Sequence, residues 1–238
     1  MNNNKVLIAI PAHNEEEALP GVIIKLRHIV PQFDRVIIND GSTDNTGKIL
    51  DELGEKQLRL PYNIGYGMAV QTGLKYGLLQ GYDIIISMDA DGQHRPEDVP
   101  DLVDALINSH ADMVIGSRFC NGRNYSTPFS RRMGQLFFSH LTHLLLGHRI
   151  YDTSSGFKAL RASACKLVVD GIFLDFHIET IVQMSLLNLK IMEIPVTVLE
   201  RTSGQSMHSI ASIFQYPIKT ILLTIVVLMD ALLVRRIQ

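Results

Sequence analysis

Short apolar runs rich in β-branched residues alternate with longer amphipathic stretches along the first 120 residues of the chain. Such runs are typical of strands buried within a parallel sheet. Alternating strands and helices indicate an α/β fold, a parallel sheet with helices on both faces. The pattern predicts strands at residues 6–10, 36–38, 84–86 and 113–115, and helices at 16–29, 44–53, 67–79 and 97–107.

The second half of the chain is less regular. The pattern predicts, in order, a loop up to about residue 128, a helix at 129–146, a Ser/Gly segment at 152–158, a helix at 177–188 and a strand at 190–199. No internal repeat is visible in the sequence. We therefore predict a single domain at residues 1–208, followed by a C-terminal helix at 209–238.

The C-terminal helix contains a strongly apolar stretch, residues 221–234, in which Asp230 is the only charged residue. A helix of this length spans about 21 Å, which is short of the roughly 30 Å hydrocarbon core of a membrane. Two interpretations stay open. The helix packs on the domain or on a second copy of the chain in a homodimer, or it lies in a membrane interface with Arg235 and Arg236 at the lipid headgroups.

The composition narrows the classes of function. The chain of 238 residues is 46% hydrophobic, so it can bury a core without cross-links, and its net charge of −2 disfavours nucleic acid as a partner. Cys120 and Cys165 lie far apart in the sequence, which disfavours a thiolate zinc site. The opening Met-Asn-Asn-Asn does not resemble a signal peptide, so we expect a cytoplasmic protein.

Polar clusters follow three of the predicted strands directly. They read PAHNE at residues 11–15, NDGSTD at 39–44 and DADGQH at 89–94. Ligands of parallel α/β sheets bind beyond the carboxyl ends of the strands, so we expect the three clusters to open onto one crevice.

The third cluster carries two carboxylates, Asp89 and Asp91, at the end of a buried strand. One can hold a divalent cation while the other reaches a ribose or sugar hydroxyl. Gln93 and His94 are close enough in sequence to add a further ligand. Carboxylate oxygens are preferred by Mg²⁺ and Mn²⁺, so the cluster predicts a site for one of these ions.

The second cluster begins at the end of a strand with Asp40. Its carboxylate can accept a hydrogen bond from an N–H of a nucleobase, and Gly41 allows a close approach of the backbone. The alternative is a turn followed by a helix, with Ser42 or Thr43 as the cap. Both interpretations can hold together, because the cap uses other atoms than the carboxylate of Asp40.

The order and spacing of several motifs resemble the GT-A, family 2 glycosyltransferases over roughly residues 5–208. The motifs are VLIAIPAHNEE, VIINDGSTDNT, NIGYGMAVQTGL, IISMDADGQH and MVIGSRF, followed by DTSSGFK at 152–158, Glu179 and RTSGQS at 201–206. The similarity is greatest to the polyprenol-phosphate (dolichol-phosphate) sugar transferases and related bacterial polysaccharide enzymes. It implies a GT-A fold, a mostly parallel, Rossmann-like sheet flanked by helices.

The resemblance also implies an activity and its residues. It implies an inverting, metal-dependent transfer of a sugar from a UDP- or GDP-sugar to a lipid-linked acceptor, polyprenyl phosphate or a growing glycan, at the inner face of the cell membrane. The implied donor-binding residues are Pro11, Ala12, Asn14, Glu15, Asp40, Gly65, Asp89, Ala90 and Asp91. Asp89, Asp91 and Gln93 are the implied ligands of Mg²⁺ or Mn²⁺. Arg118 and Arg201 are implied to face phosphate oxygens, and Asp152 to line the acceptor side.

The acceptor stays open at this point. A hydroxyl acceptor requires a general base, for which Asp152 is the candidate, whereas a phosphate acceptor requires only cationic side chains to position it. Those cations are Arg118, Arg131, Arg132 or Arg201. The sequence departs from the family pattern at Tyr66, where a basic residue is frequent, and at Met207–His208, where a Ser-Lys pair is common.

The alternatives to sugar transfer are nucleotidyl transfer and a non-catalytic, nucleotide-binding scaffold. A nucleotidyltransferase normally carries a Gly-rich basic loop after its first strand, and residues 11–15 contain no glycine. A non-catalytic nucleotide-binding scaffold would be indicated by the loss of Asp91 or Arg201, and both are present.

Overall fold

The computed structural model describes residues 4–120, 129–147, 149–170, 176–199, 221–227 and 229. The elements are β1 (Val6–Ala12), α1 (Leu19–Ile29), β2 (Asp34–Asn39), α2 (Thr46–Glu52), β3 (Gln57–Arg59), α3 (Tyr66–Leu79), β4 (Ile84–Ser87), α4 (Val99–Asn108), β5 (Met113–Ser117), α5 (Phe129–Leu146), β6 (Lys158–Arg161), α6 (Ala162–Asp170), α7 (Ile178–Leu186) and β7 (Ile191–Pro195). A short 3₁₀ turn, Pro96–Asp98, leads into α4.

A seven-stranded sheet has the strand order β3-β2-β1-β4-β6-β5-β7. The pairs β1–β2, β1–β4, β2–β3 and β5–β7 are parallel, and β6 runs antiparallel between β4 and β5. The prediction of an α/β fold with a mostly parallel sheet is confirmed.

Apolar side chains cover both faces of the sheet. Along β1, Ile8 and Ile10 belong to a core cluster shared with α1 and α4, whereas Leu7 and Ala9 belong to a second cluster shared with α3 and α6. Successive side chains of a strand point to opposite faces, so a continuous apolar run fills two cores at once. The strand-like runs found in the sequence therefore lie at the centre of the molecule.

Four elements differ from the sequence prediction. The short edge strand β3, the antiparallel strand β6 and helix α6 were not predicted, and α1 begins at Leu19 rather than at residue 16. β3 and β6 have three and four residues, too few for a periodic pattern to show. The later start of α1 follows from hydrogen bonds that the N–H groups of Glu15 and Glu16 donate to Thr46 and Asp44.

A third, smaller cluster involves the C-terminal segment, in which residues 221–227 are helical. Val227 packs with Phe138 of α5 and with Ile178 and Val182 of α7. Residues 209–220 and 230–238, with Asp230, Arg235 and Arg236, lie outside the described part of the chain, so most of the predicted C-terminal helix is untested. Among the described helices, none is both long and apolar enough to cross a membrane.

Candidate active site

The carboxyl ends of β1, β2 and β4 lie side by side, because these strands are adjacent and parallel in the sheet. The polar clusters at residues 11–15, 39–44 and 89–94 therefore meet at one edge of the sheet. Pro11 and Ala12 end β1 and are buried, so a bound molecule could contact mainly their backbone atoms.

Asn14 joins the first cluster to the second. Its backbone has a φ of 56°, a left-handed conformation that asparagine tolerates better than most residues. Its N–H donates to Oγ of Ser42 over 3.1 Å, and its Oδ1 accepts from the N–H of Thr43 over 2.8 Å. The N–H of Glu15 donates to Oγ1 of Thr46 over 2.9 Å. The two loops thus form one cross-linked wall of the crevice.

The prediction that Ser42 or Thr43 caps α2 is wrong. The helix begins at Thr46 without a side-chain hydrogen bond from its N-cap residue. Both hydroxyl groups bond to Asn14 in the neighbouring loop instead. The carboxylate of Asp44 accepts from the N–H of Thr46 over 3.0 Å and takes the place of the expected cap.

Asp40 is buried beneath the loop that precedes α3. Its Oδ1 accepts a hydrogen bond from the N–H of Ile64 over 2.8 Å, and its Oδ2 accepts from the N–H of Gly65 over 3.0 Å. A Cβ at Gly41, which has a φ of 61°, would lie 2.3 Å from the carbonyl carbon of Tyr62. Asp40 therefore has a structural task that the sequence did not reveal, and its contact with a nucleobase stays a prediction.

Asp89 stands beyond the end of β4, about one third exposed. Its Oδ1 accepts a hydrogen bond from the hydroxyl of Tyr66 over 2.9 Å, and its N–H donates to Nδ1 of His94 over 3.3 Å. Oδ1 of Asp91 accepts from the N–H of Gln93 over 3.0 Å, which closes a tight turn. Ala90 between the two carboxylates is buried, so both acidic residues are held by a fixed backbone.

The segment after β7 is attached to this turn. The N–H of Leu199 donates to the carbonyl of Gln93 over 2.9 Å, and Nε2 of Gln93 donates back to the carbonyl of Leu199 over 3.3 Å. Arg201, the next predicted site residue, lies outside the described residues, as does the Met207–His208 pair.

The donor atoms at this edge suit a hard divalent cation. Asp89 and Asp91 offer carboxylate oxygens, and Gln93 offers an amide oxygen. Within the described ranges, no group of three or more His, Cys, Asp or Glu side chains could hold a metal without help. Mg²⁺ commonly binds through one or two carboxylates and takes its other ligands from phosphates and water, so these residues fit such an ion.

Arg118 follows β5 and binds the buried carboxylate of Asp152. Nε donates to Oδ2 and Nη2 donates to Oδ1, each over 2.7 Å, and the backbone N–H of Arg118 adds a bond of 3.0 Å to Oδ2. Burial alone would raise the pKa of Asp152, but the charge and the hydrogen bonds of Arg118 outweigh it and lower that pKa. A carboxylate held in this way is a poor proton acceptor, which argues against Asp152 as a general base.

Glu193 on β7 holds the backbone of the same segment, and sequence reasoning missed it. Its carboxylate accepts hydrogen bonds from the N–H groups of Tyr151 and Asp152, each over 2.8 Å. Burial raises the pKa of Glu193, although these hydrogen bonds oppose the shift. The available signal was an acidic residue between apolar neighbours in a predicted strand.

Lys158 is a second group that the sequence did not single out. The side chain is completely buried on β6, where Nζ donates to the carbonyl of Phe176 and lies 4.2 Å from the centre of that ring. Burial lowers the pKa of Lys158 to about 8, against the opposing charges of Glu179, Asp152 and Asp89. A buried cation thus lies beneath the carboxylates of the crevice.

The structure says less about the other arginines that were predicted to position the acceptor. Arg132 on α5 is exposed, and the side chain of Arg131 lies outside the described part of the structure. Of the four arginines proposed to position an acceptor, the structure therefore brings Arg118 to the crevice edge and leaves the others untested.

Residues 7–168 match the family model described as "Glycosyl transferase family 2". The chain belongs to glycosyltransferase family 2. It is thus a glycosyltransferase, and the match includes all three strand-end clusters together with the segment from Arg118 to Lys158.

Named relatives of this glycosyltransferase cover most of its length. It is 34% identical over 215 residues to the undecaprenyl-phosphate mannosyltransferase of Micrococcus luteus, covering 86% of this chain and 88% of the relative. It is 34% identical over 187 residues to a UDP-N-acetylglucosamine–dolichyl-phosphate N-acetylglucosaminyltransferase of Methanococcus voltae, covering 71% and 74%.

Among solved structures, the glycosyltransferase is similar to glucosyl-3-phosphoglycerate synthase from Mycobacterium tuberculosis crystallised with Mn²⁺ and UDP-glucose. The TM-score is 0.68 at 18% sequence identity, and the match covers 92% of this chain and 78% of the other. At this identity the similarity shows a shared fold.

Proposed function

We propose that this glycosyltransferase moves a sugar from a nucleoside diphosphate sugar, linked to UDP or GDP, to a polyprenyl phosphate. The two named relatives act on different sugars, mannose and N-acetylglucosamine, but both names specify a polyprenol-type phosphate. A shared acceptor class among relatives that differ in donor supports the same acceptor class here.

The observation that carries this choice of acceptor is the pair of Arg118 and Asp152. A hydroxyl acceptor needs a base to take its proton, and the candidate base is bound at both oxygens by a guanidinium. A phosphate acceptor is already an anion and needs no base. We therefore assign Asp152 to positioning Arg118, and Arg118 to the approach of phosphate groups.

The donor occupies the crevice beyond β1, β2 and β4 in this proposal. The residues proposed to contact it are Pro11, Ala12, Asn14, Glu15, Asp40, Gly65, Asp89, Ala90 and Asp91. Asp89, Asp91 and Gln93 would hold Mg²⁺ or Mn²⁺, which would neutralise charge on the diphosphate. The partial exposure of Asp89 and the fixed turn around Asp91 support this assignment.

In the proposed reaction, a phosphate oxygen of the acceptor attacks the anomeric carbon of the sugar. The bond from that carbon to the donor diphosphate breaks, and the nucleoside diphosphate leaves with the bonding electron pair. A single attack from the opposite side inverts the anomeric configuration. In this proposal Arg118 and Arg201 face phosphate oxygens and stabilise their charge.

We also propose that the C-terminal segment, residues 209–238, rests on the inner face of the cell membrane and brings the crevice to the lipid acceptor. Of its described part, Val227 faces the protein, whereas Leu222, Ile225 and Val226 are exposed. A helix with one apolar side in the protein and another towards solvent has the surface that an interfacial helix needs. A homodimer that covers the same side chains is the rival arrangement.

The acceptor is tested with a matched pair of lipids, undecaprenyl phosphate and undecaprenol. The purified protein is incubated with UDP-glucose, UDP-N-acetylglucosamine or GDP-mannose, with Mn²⁺ or with EDTA, and the lipids are analysed by mass spectrometry. We expect a glycosylated undecaprenyl phosphate in the presence of Mn²⁺ and no product from undecaprenol. Transfer to undecaprenol alone, or pyrophosphate release from UTP and a sugar 1-phosphate, would contradict the proposal.

The membrane arrangement is tested by flotation with vesicles of phosphatidylglycerol and by sizing in solution. Changing the exposed Leu222, Ile225 and Val226 to serine should abolish flotation and leave the sizing profile unchanged. Loss of a dimer in the serine variant, from a wild-type protein that does not float, would support the homodimer instead.

A further inference from the structure

Tyr66 is the first residue of α3, and its hydroxyl contacts the carboxylate of Asp89 in the polar cluster at residues 89–94. Oη donates to Oδ1 of Asp89 over 2.9 Å. The ring stacks on the imidazole of His177, with the centroids 5.8 Å apart and the planes 7° from parallel. The neighbouring Gly65 is bound to Asp40, so both ends of the tyrosine are fixed by the fold.

Gly156 closes the other side of this contact. A Cβ at this position would lie 2.3 Å from Oη of Tyr66 and 2.7 and 2.8 Å from the two carboxylate oxygens of Asp89. The tyrosine hydroxyl and the carboxylate therefore both lie against bare backbone. The carboxylate of Asp89 is confined between the hydroxyl of Tyr66 and the backbone of Gly156.

We propose that Tyr66 is a positioning residue that orients Asp89 towards the donor without neutralising its charge. A phenol donates one hydrogen bond and remains neutral, so Asp89 keeps its full negative charge for a divalent cation or a sugar hydroxyl. A lysine or arginine, which is frequent at this position in the family, would form an ion pair with Asp89 here and leave it less negative charge for the cation. This inference rests on the proposed donor site.

The test uses Tyr66→Phe, which removes the hydroxyl and keeps the ring that stacks on His177. Tyr76→Phe is the matched control, because Tyr76 lies near the other end of α3 with its ring 5.2 Å from Nζ of Lys56. Calorimetry of UDP and GDP binding at several Mn²⁺ concentrations gives the affinity, and thermal unfolding without ligand reports the fold.

We expect Tyr66→Phe to weaken Mn²⁺-dependent nucleotide binding by about ten- to a hundredfold, the effect of one hydrogen bond to a charged group. The melting temperature without ligand should stay close to that of Tyr76→Phe. Tyr66→Lys should weaken the Mn²⁺ dependence further, since its charge competes with the cation. In an Asp89→Asn background, Tyr66→Phe should cost less than it does alone.

Each outcome tests either the positioning role of Tyr66 or the proposed donor site. If the wild type binds UDP or GDP with Mn²⁺ and Tyr66→Phe binds equally well, the positioning role is wrong and the donor site stands. If Tyr66→Lys binds Mn²⁺ and nucleotide more tightly than the wild type, the charge explanation is wrong. If the wild type shows no Mn²⁺-dependent binding of either nucleotide, the proposed donor site fails and the inference falls with it.

Discussion

Arg118 and Asp152 form a two-pronged ion pair in which Nε and Nη2 of the arginine each lie 2.7 Å from a carboxylate oxygen. The carboxylate is completely buried, and its own backbone N–H is held by Glu193 from β7. This chain of contacts fixes the direction of the guanidinium at the end of β5. Asp152, the candidate general base, therefore positions the cationic side chain of Arg118.

Asp152→Asn should therefore act through Arg118 rather than through proton transfer. We expect a loss of about 3 kcal/mol in the free energy of unfolding, as is typical when one partner of a buried ion pair is removed. The acceptor KM should rise, and the pH profile of kcat/KM should keep its shape. Urea unfolding and steady-state kinetics measure both effects, with exposed Asp101→Asn on α4 as the control. Loss of an acidic limb of that profile in the variant would restore the general-base interpretation.

Asp91→Asn should abolish metal-dependent donor binding and leave the fold intact. Asp91 lies in a partly exposed turn beyond the sheet, so its change removes a metal ligand without opening the core. Calorimetry with UDP or GDP and Mn²⁺ should show no metal-dependent binding, whereas exposed Asp104→Asn should behave as the wild type does. Unchanged Mn²⁺-dependent binding in the variant would contradict the metal assignment.

Asp40→Ala should lower both stability and donor affinity. Two half-buried N–H groups, of Ile64 and Gly65, lose a charged acceptor, which should cost about 2 kcal/mol in the free energy of unfolding. Donor affinity should fall by about 1–3 kcal/mol if the carboxylate also binds the nucleobase. Asp40→Asn keeps one acceptor oxygen and should recover part of the stability. If affinity survives in both variants at a temperature where they are folded, Asp40 has only its structural task.

Because Lys158 is buried, the free energy of unfolding should depend on pH above pH 8. Its pKa is about 8 in the folded chain and 10.5 in the unfolded chain. Between these values the unfolded state binds more protons, so the free energy of unfolding should rise with pH, by at most about 1.4 kcal/mol per pH unit. Urea unfolding between pH 7.5 and 9.5 should show this rise in the wild type relative to Lys158→Met. Parallel pH curves for the two proteins would show that the buried ammonium does not titrate there.

Gly77 on α3 allows the helix to approach the sheet closely. A Cβ at Gly77 would lie 2.6 Å from Cδ1 of Ile85 on β4, so Gly77→Ala should destabilise the fold by about 1–3 kcal/mol. Gly21→Ala on α1 is the control, because no atom lies within 4 Å of the added methyl group. That change should stabilise the fold by about 0.5 kcal/mol. Equal effects of both substitutions on thermal unfolding would rule out close packing as the cause.

The main strands and the three polar clusters were predictable because their signals are local. An apolar run such as residues 84–86 marks a buried strand by itself, and Asp89 and Asp91 directly follow it in the chain. The antiparallel strand β6 was not predictable, because it has only four residues and includes Lys158, which pairs with Ser87 of β4 and Ile115 of β5 and is buried in the folded sheet.

By itself, the sequence determined the fold class, the family and the residues available at the crevice. The tertiary structure decided which of those residues face each other. Arg118 and Asp152 are 34 residues apart, and Tyr66 and Asp89 are 23 apart, so each pair exists only once strand order and helix packing are set. Side-chain chemistry is a property of single positions, whereas the pKa, direction and charge of a group depend on what the fold packs against it.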